Sequence, residues 1–398
     1  MSLDEWRGIM NNEYEPGKVI MAFRQKMNSK QKLYESLNVV LQDIEYENVE
    51  LIFHSQNDEG DIFLVRLKDK HPQAVFDAIE KIAMYPDIDY VEADYIENKH
   101  LNANDPLYSQ LWGIQKIKAP LAWNYTTGSQ EVVVGIIDTG IDDSHPDIRR
   151  NMWQSPQGRI VNGWNFADDN QFSMDVDGHG THVAGTVGAV GNNYIGITGV
   201  CWNVKVVSMK FGLDVASAIA AIDFANAFHI PILNASWGGR VYSLALKQAI
   251  DQYDGLFIAS AGNNGENNDI YPIYPATYES ANIISVAAIS PSNELAGFSN
   301  YGIKSVDIAA PGTSILSLDL QGGYSPLNGT SMAAPHVAGA AALLKSYFPS
   351  LSPLAIKNII LNNVTKLPQL KNTIKTSGLL NLEAMFEGAK QQMRQRIE

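Results

Sequence analysis

The sequence predicts a small α+β unit followed by a large α/β unit, the latter three layers deep with a mainly parallel sheet between helices. Three observations carry that prediction. From residue 18 to residue 97, period-two and helical apolar spacings succeed one another as strand, helix, strand, strand, helix, strand. Residues 97–106, E-N-K-H-L-N-A-N-D-P, are then polar and show no periodic apolar face. Beyond them, short apolar runs alternate with helix-like stretches, the rhythm of parallel strands covered by helices.

In chain order, the first unit places strands at 19–24, 49–54, 62–67 and 90–96, with helices at 29–41 and 71–84. That order is the split βαβ, ferredoxin-like pattern. The polar stretch after it reads as an exposed junction. The large unit places strands at 132–137, 204–209, 230–233, 256–259 and 283–287, and the charged helix at 383–396 reads as a surface helix. No internal repeat of fixed period is evident. The expected division is an N-terminal extension at 1–15, a small domain at 16–98, a linker at 99–104 and a large domain at 105–398.

Composition removes several function classes. Over 398 residues, 45% hydrophobic and 18% charged residues suffice for a packed core and are too apolar for a mostly disordered chain. A formal net charge of -14, without clustered Lys and Arg, argues against nucleic-acid partners. No run reaches the roughly 18 apolar residues of a membrane span; the stretch through Leu343 and Leu344 is cut by Lys345 and Pro349. Neither nucleic acid nor membrane is expected as a partner, and a monomer is expected. The only cysteine, Cys201, excludes an intramolecular disulfide; in G-V-C-W-N-V-K, just before a strand, it reads as a small buried hydrophobe. Residues 1–10 lack the basic start and apolar run of a secretory signal.

The chemistry lies in separated segments. V-V-V-G-I-I-D-T-G is a buried strand ending in Asp138, at the carboxyl edge where open α/β sheets hold ligands. Alone, such an Asp more often only caps a turn. D-G-H-G-T-H-V-A-G-T leads through glycines into a small-residue helix and leaves His179 at its start. There one ring nitrogen can hold a carboxylate while the other takes a proton from a hydroxyl; His182, one turn on, reads as structural. N-G-T-S-M-A-A-P-H-V-A-G-A-A-A-L-L sets Ser331 at a helix start, where unpaired N–H groups and the helix dipole favour developing negative charge. A lone Ser there is more often an N-cap. F-I-A-S-A-G-N-N-G ends a strand near Asn263, and G-N-N-G by itself is a turn signal.

Taken together, in the order Asp, His, Ser, these segments resemble the subtilisin family of serine proteases, with thermitase-like features, over nearly all of residues 105–382. The upstream domain resembles the family's inhibitory propeptide, of inhibitor I9 type. The resemblance implies a three-layer α/β/α fold and a serine endopeptidase that works through an acyl-enzyme without a catalytic cofactor. It makes Ser331 the nucleophile, His179 the general base and then acid, and Asp138 the group that orients the imidazole. Asn263 becomes the side-chain oxyanion donor, beside the Ser331 N–H. L-N-A-S-W-G-G resembles the family's substrate-binding strand, so Ser236, Trp237 and Gly238 would contact an extended protein or peptide substrate. Trp237 alternatively is ordinary core. Ile273, in I-Y-P-I-Y-P-A-T-Y, stands where many members carry a small residue at the floor of the main specificity pocket, which implies a shallow pocket.

The pieces N-D-P-L-Y, D-D-S-H-P-D and G-N-N-Y-I-G-I resemble those of the family's high-affinity calcium site. Asp105, Asp147 and Asn193 would give side-chain oxygens, and Gly191, Ile195 and Ile197 backbone carbonyls, to a structural Ca2+; the plain alternative is a solvated acidic loop. Asp168, Asp169 and Asn170 resemble a weaker cation site and equally a surface loop. The propeptide likeness implies an intramolecular inhibitor whose residues 95–101 run through the active site, with self-cleavage between Ile96 and Asn104. It also favours export, because a long propeptide resembles that of secreted members; an intracellular processing protease is the alternative. The rival class is a catalytically silent peptide-binding or folding module, and the intact Asp138, His179, Ser331 and Asn263 speak against it.

Overall fold

Apolar alternation builds an antiparallel sheet in the first part of the chain. Strands β1 (Tyr14–Phe23), β2 (Tyr46–Phe53), β3 (Ile62–Leu67) and β4 (Ile88–Tyr95) lie in the order β2-β3-β1-β4. Helix α1 (Lys30–Val40) follows β1, and α2 (Pro72–Ala83) follows β3. Val19, Met21, Phe63 and Val65 of the sheet share one apolar cluster with Val40, Ile79 and Ile82 of the helices. The Ser29 hydroxyl accepts from Lys32 N–H at 3.2 Å, which is why α1 begins there. β1 starts ahead of its apolar run because Tyr14 pairs with Tyr95 across the ladder, a partner that local pattern does not reveal.

The computed structural model describes residues 14–27, 29–55, 60–95 and 101–394. The chain divides into two compact units, Met1–Lys99 and His100–Glu398. Positions 96–100 of the expected cleavage interval and inhibitory segment, residues 1–13 of the expected extension and residues 395–396 of the last helix lie outside the described residues.

The second unit is organised by a nine-stranded sheet. Strands β5 (Gly128–Asp138), β6 (Gly163–Asn165), β7 (Asn203–Lys210), β8 (Ile232–Ala235), β9 (Leu256–Ser260), β10 (Ile283–Ile289) and β11 (Ile308–Pro311) pair in parallel. A hairpin of β12 (Ile315–Leu318) and β13 (Tyr324–Leu327) stands outside it, and β14 (Thr365–Lys366) joins β15 (Gly378–Leu379) antiparallel at one edge. The order is β14-β15-β11-β10-β9-β8-β5-β7-β6. The principal helices are α3 (His179–Gly188), α4 (Val215–Ala227), α5 (Leu244–Asp251), α6 (Thr330–Tyr347), α7 (Pro353–Asn362) and α8 (Leu382–Arg394).

Both faces of the sheet are buried, which is why its strands read as continuous apolar runs. Val134 and Ile136 of β5 cluster with Val183 and Val187 of α3 and Val337 of α6, whereas Ile137 clusters with Ile222 of α4 and Ile250 of α5. β8 begins later than the apolar run at 230–233 suggests, since Pro231 has no N–H to give a ladder. The last helix is a correction to the surface reading. Leu382, Met385, Phe386 and Ala389 are buried, and Phe386 stacks on Tyr125 with ring centroids 5.1 Å apart. Their helical spacing was masked by the charged residues of the opposite face. Among the described residues no helix is long and apolar enough to cross a membrane.

Candidate active site

Strands β7, β5, β8 and β9 are neighbours, so the segments that follow them share the carboxyl edge of the sheet. Asp138, the last residue of β5, is 2% exposed. His179 opens α3 behind Gly178, whose φ of +101° suits glycine. Gly180 allows the close approach: a Cβ there would lie 2.1 Å from the Gly140 carbonyl oxygen and 3.1 Å from Asp138 Cβ. His179 Nδ1 thereby meets Asp138 Oδ1 at 2.7 Å. An ionised carboxylate only accepts, so Nδ1 carries the proton and Nε2 keeps its lone pair. Thr139 N–H donates to the same Oδ1 at 2.8 Å and holds the carboxylate in place.

Burial pulls the His179 imidazole's pKa down, but the hydrogen bond and charge of Asp138, with the charges of Asp177 and Asp175, outweigh it and leave it raised. A reaction that needs neutral Nε2 speeds up as pH climbs through that raised value. In Asp177→Asn one of these charges is lost, while an amide oxygen can still accept from His179 N–H as Asp177 Oδ1 does at 3.2 Å. The acid limb of kcat/KM is therefore expected to move to lower pH, most clearly at low salt. An unmoved limb would mean that this carboxylate does not reach the imidazole. His182 is different: its Nε2–H donates to the Ile315 and Ser325 carbonyls at 2.9 and 3.1 Å, and burial holds its pKa down at about 4. It is a neutral tie between α3 and the β12–β13 hairpin.

Ser331 lies in the first turn of α6 and is 8% exposed. Pro335, four residues on, has no N–H, so the Ser331 carbonyl lacks its helical donor. The Ser236 hydroxyl replaces that donor at 2.8 Å, itself held by Asn234 Nδ2 at 2.9 Å. In return, Ser331 Oγ–H donates to the Ser236 carbonyl at 3.0 Å. Asn263, just past β9, accepts at Oδ1 from Thr330 N–H at 2.8 Å and from the Thr330 hydroxyl at 2.9 Å. Those donors fix the orientation of the amide and leave Nδ2 as a donor on its other side, 3.6 Å from where a Cβ on Gly329 would stand. Sequence reasoning passes over Asn234, Thr330 and Pro335; the proline four residues after Ser331 is the one signal that announces a freed carbonyl.

Ser236, Trp237 and Gly238 continue from β8. Trp237 is half-buried against Phe211, ring centroids 4.8 Å apart, so it serves the core at least in part. Gly239 and Tyr274 exchange two backbone hydrogen bonds of 2.8 Å. Ile273 is 5% exposed and sits between two backbone segments: a Cβ on Gly238 would come within 2.8 Å of its Cγ2, and one on Gly262 within 3.3 Å of its Cγ1.

Away from this edge, Asp105 and Asp147 are 4% and 0% exposed and converge on the loop at 191–197. Asp105 accepts from Asn192 and Asn193 N–H at 2.8 and 3.3 Å. Asp147 accepts from Asn193 Nδ2 at 2.8 Å, Ile197 N–H at 2.9 Å and the Tyr324 hydroxyl at 3.2 Å. Desolvation raises both carboxyl pKa values against these hydrogen bonds, and the charge of Asp105 adds to the rise at Asp147. Neither takes part in an ion pair of the described residues. Two buried carboxylates without a counter-charge, next to a carboxamide and loop carbonyls, fit a hard cation. Among the described residues no three His, Cys, Asp or Glu converge, so Gly191, Ile195 and Ile197 carbonyls and Asn193 Oδ1 would have to complete its shell.

Asp168, Asp169 and Asn170 instead spend their side chains on their own loop. Asn165 Nδ2 donates to Asp168 Oδ2 at 3.0 Å, Trp164 Nε1 to Asp169 Oδ1 at 3.3 Å, and Phe172 N–H to Asn170 Oδ1 at 2.8 Å. Of the two readings, these bonds favour the surface loop. Cys201 is fully buried, and burial pushes its thiol pKa up, which leaves it inert.

A parallel sheet whose edge gathers a buried carboxylate–imidazole pair, a helix-borne serine and an amide donor defines a serine hydrolase of the α/β class. The profile of the Subtilase family matches residues 129–379. The chain is 34% identical over 342 residues to the thermophilic serine proteinase of Bacillus sp. (strain AK1), covering 84% of this chain and 79% of that protein. It is 38% identical to subtilisin DY of Bacillus licheniformis, covering 69% and 97%, and 38% identical to thermitase of Thermoactinomyces vulgaris, covering 64% and 90%. Among solved structures, a protease of Pseudoalteromonas arctica aligns with a TM-score of 0.64 at 28% identity, over 73% of this chain and all of that one. The chain belongs to the subtilase family. It is a subtilisin-like serine protease, and its substrates are proteins or peptides.

Proposed function

We propose that the chain is the proenzyme of an endopeptidase in which Ser331, His179, Asp138 and Asn263 carry out acyl transfer. The carrying observation is the 2.7 Å Nδ1–Oδ1 contact, which leaves His179 Nε2 as the base. Ser331 Oγ attacks the peptide carbonyl carbon, its proton passes to Nε2, and the carbonyl π pair moves onto oxygen. Asn263 Nδ2 and the Ser331 N–H hold that oxyanion. Its collapse expels the amine, which takes the proton from His179; water then enters, loses its proton to Nε2, and releases the acid by the same steps. Asp138 keeps its hydrogen bond to Nδ1 and steadies the imidazolium.

Residues 16–98 act as folding aid and inhibitor, residues 1–15 are an extension, residues 99–104 a processing linker, and residues 105–398 the catalytic domain. Supporting this, the likeness to the Bacillus AK1 proteinase spans more of the chain than the second unit holds, so it reaches back into the first. The test is the mass of the purified chain: wild type should cut itself between Ile96 and Asn104, and Ser331→Ala should stay whole. A wild type that digests casein yet keeps its full mass would refute self-processing. The mature enzyme works as an exported monomer; finding it only inside the producing cells would favour the intracellular alternative.

Ser236, Trp237 and Gly238 pair with substrate backbone, so specificity is broad, and Ile273 floors a shallow pocket for the residue before the cut. Ile273→Gly is expected to raise kcat/KM for a Phe-containing peptide roughly tenfold or more. A wild type that already prefers Phe or Tyr strongly there contradicts this. Asp105, Asp147 and Asn193, with the Gly191, Ile195 and Ile197 carbonyls, would hold a structural Ca2+ that neutralises the two buried carboxylates. Chelation is expected to remove about 3–4 kcal/mol of stability, read as a fall in Tm of roughly 5–15 °C that calcium restores and magnesium does not. An unchanged Tm would dismiss the site.

A further inference from the structure

We infer that the Ser236 carbonyl is a substrate-operated catch for the nucleophile: it holds the Ser331 hydroxyl at rest and yields it when the backbone N–H of a bound peptide arrives. The inference rests on the reading of Ser331 as nucleophile. The Ser331 hydroxyl donates to Ser236 O at 3.0 Å. A hydroxyl has one proton, so donating it to Ser236 O and donating it to His179 Nε2 are mutually exclusive. The hydroxyl must let go of Ser236 O before it can give its proton to His179.

What moves and what stays is set by the same residue. The Ser236 hydroxyl, backed by Asn234, grips the Ser331 carbonyl at 2.8 Å, the carbonyl that Pro335 leaves without a helical donor. The main chain of Ser331 is thus anchored while its side chain is held by one ordinary hydrogen bond. A side-chain rotation of this kind is fast compared with turnover.

Geometry also says which peptide group releases the catch. An attackable carbonyl carbon lies roughly 3–3.5 Å from Oγ. Nitrogen and carbonyl carbon of one residue are about 2.5 Å apart, given the standard bond lengths and angle. Ser236, itself buried, opens the continuation of β8 that runs out to the exposed Gly238; a peptide laid along it would bring to the Ser236 carbonyl the N–H of the same residue whose carbonyl is attacked. It approaches from the side that Oγ occupies, and the displaced hydroxyl turns to His179. Ser236 is in this sense a positioning residue for the nucleophile, through its carbonyl as well as its hydroxyl.

The test compares two p-nitrophenyl esters on the wild-type protein: one of an N-acetyl amino acid, the other of the matching O-acetyl hydroxy acid, in which oxygen replaces the N–H without added bulk. The burst of p-nitrophenol reports acylation of Ser331. At saturation the hydroxy-acid ester is expected to acylate at least about tenfold more slowly, with a smaller change in apparent affinity; a contact that only binds would change affinity alone. A crystal structure with a product peptide should show Oγ turned to His179 Nε2 and the peptide N–H on Ser236 O. Equal saturating rates, or a complex in which Oγ stays on Ser236 O beside the peptide N–H, overturn the catch and leave the protease reading intact. If neither ester gives a burst that Ser331→Ala abolishes, the nucleophile reading fails and the catch fails with it.

Discussion

Ser331→Ala is expected to lower kcat on casein or a peptide by about a million-fold, with KM little changed. That scale is the one a subtilisin itself shows when its nucleophile is removed. Among the described residues, two other side chains with a nucleophilic atom are out of play. Cys201 is fully buried with a raised thiol pKa, and Ser236 spends its hydroxyl on the Ser331 carbonyl. Removing His179 as well should cost little more, since the base has nothing left to activate. Phenylmethylsulfonyl fluoride should silence the wild type to the same floor. Residual activity of the Ala variant within a hundredfold of wild type would mean that another group attacks the carbonyl.

The second large effect concerns Asn263. Asn263→Ala is expected to reduce kcat by about 10²- to 10³-fold while KM stays within a few-fold, the loss typical of one oxyanion donor and again a magnitude measured on a subtilisin. Here the side chain has two duties, because Oδ1 also accepts from Thr330 at the start of α6. The Ala variant should therefore also lose about 1 kcal/mol of stability, the worth of a helix cap. Asn263→Asp separates the duties: its carboxylate keeps both Thr330 bonds but offers no donor and adds a negative charge beside the developing oxyanion. It should hold its Tm near wild type and be at least as inactive as the Ala variant. An active, stable Asp variant would take Nδ2 out of the reaction.

Legibility followed the range of the interaction. The six elements of the first unit and five parallel strands of the second, β5 and β7 to β10, could be read because each depends on its own apolar period or on a nearby cap such as Ser29, whereas the short strands β6 and β11 were not read. The errors fell where a distant partner decided: Tyr14 joins β1 because Tyr95 lies opposite, and α8 is half-buried because Tyr125 and the core receive Phe386. Asp138, His179, Ser331 and Asn263 stand in the sequence as members of motifs, each with a plain local alternative.

The sequence by itself determined the kinds of chemistry present: a strand ending in a carboxylate, a helix opening on an imidazole, a second helix opening on a hydroxyl after a glycine, and buried acids near an asparagine loop. Those are local facts, written in spacing and residue type. Tertiary structure alone decided that β5, β7 and β8 lie side by side, that Nδ1 and not Nε2 meets Asp138, and that the Ser331 hydroxyl rests on Ser236. The physical reason is that hydrogen bonds hold only within about 3 Å. For groups 41 and 95 residues apart, that distance is set by strand order and helix packing, which no local stretch of the chain encodes.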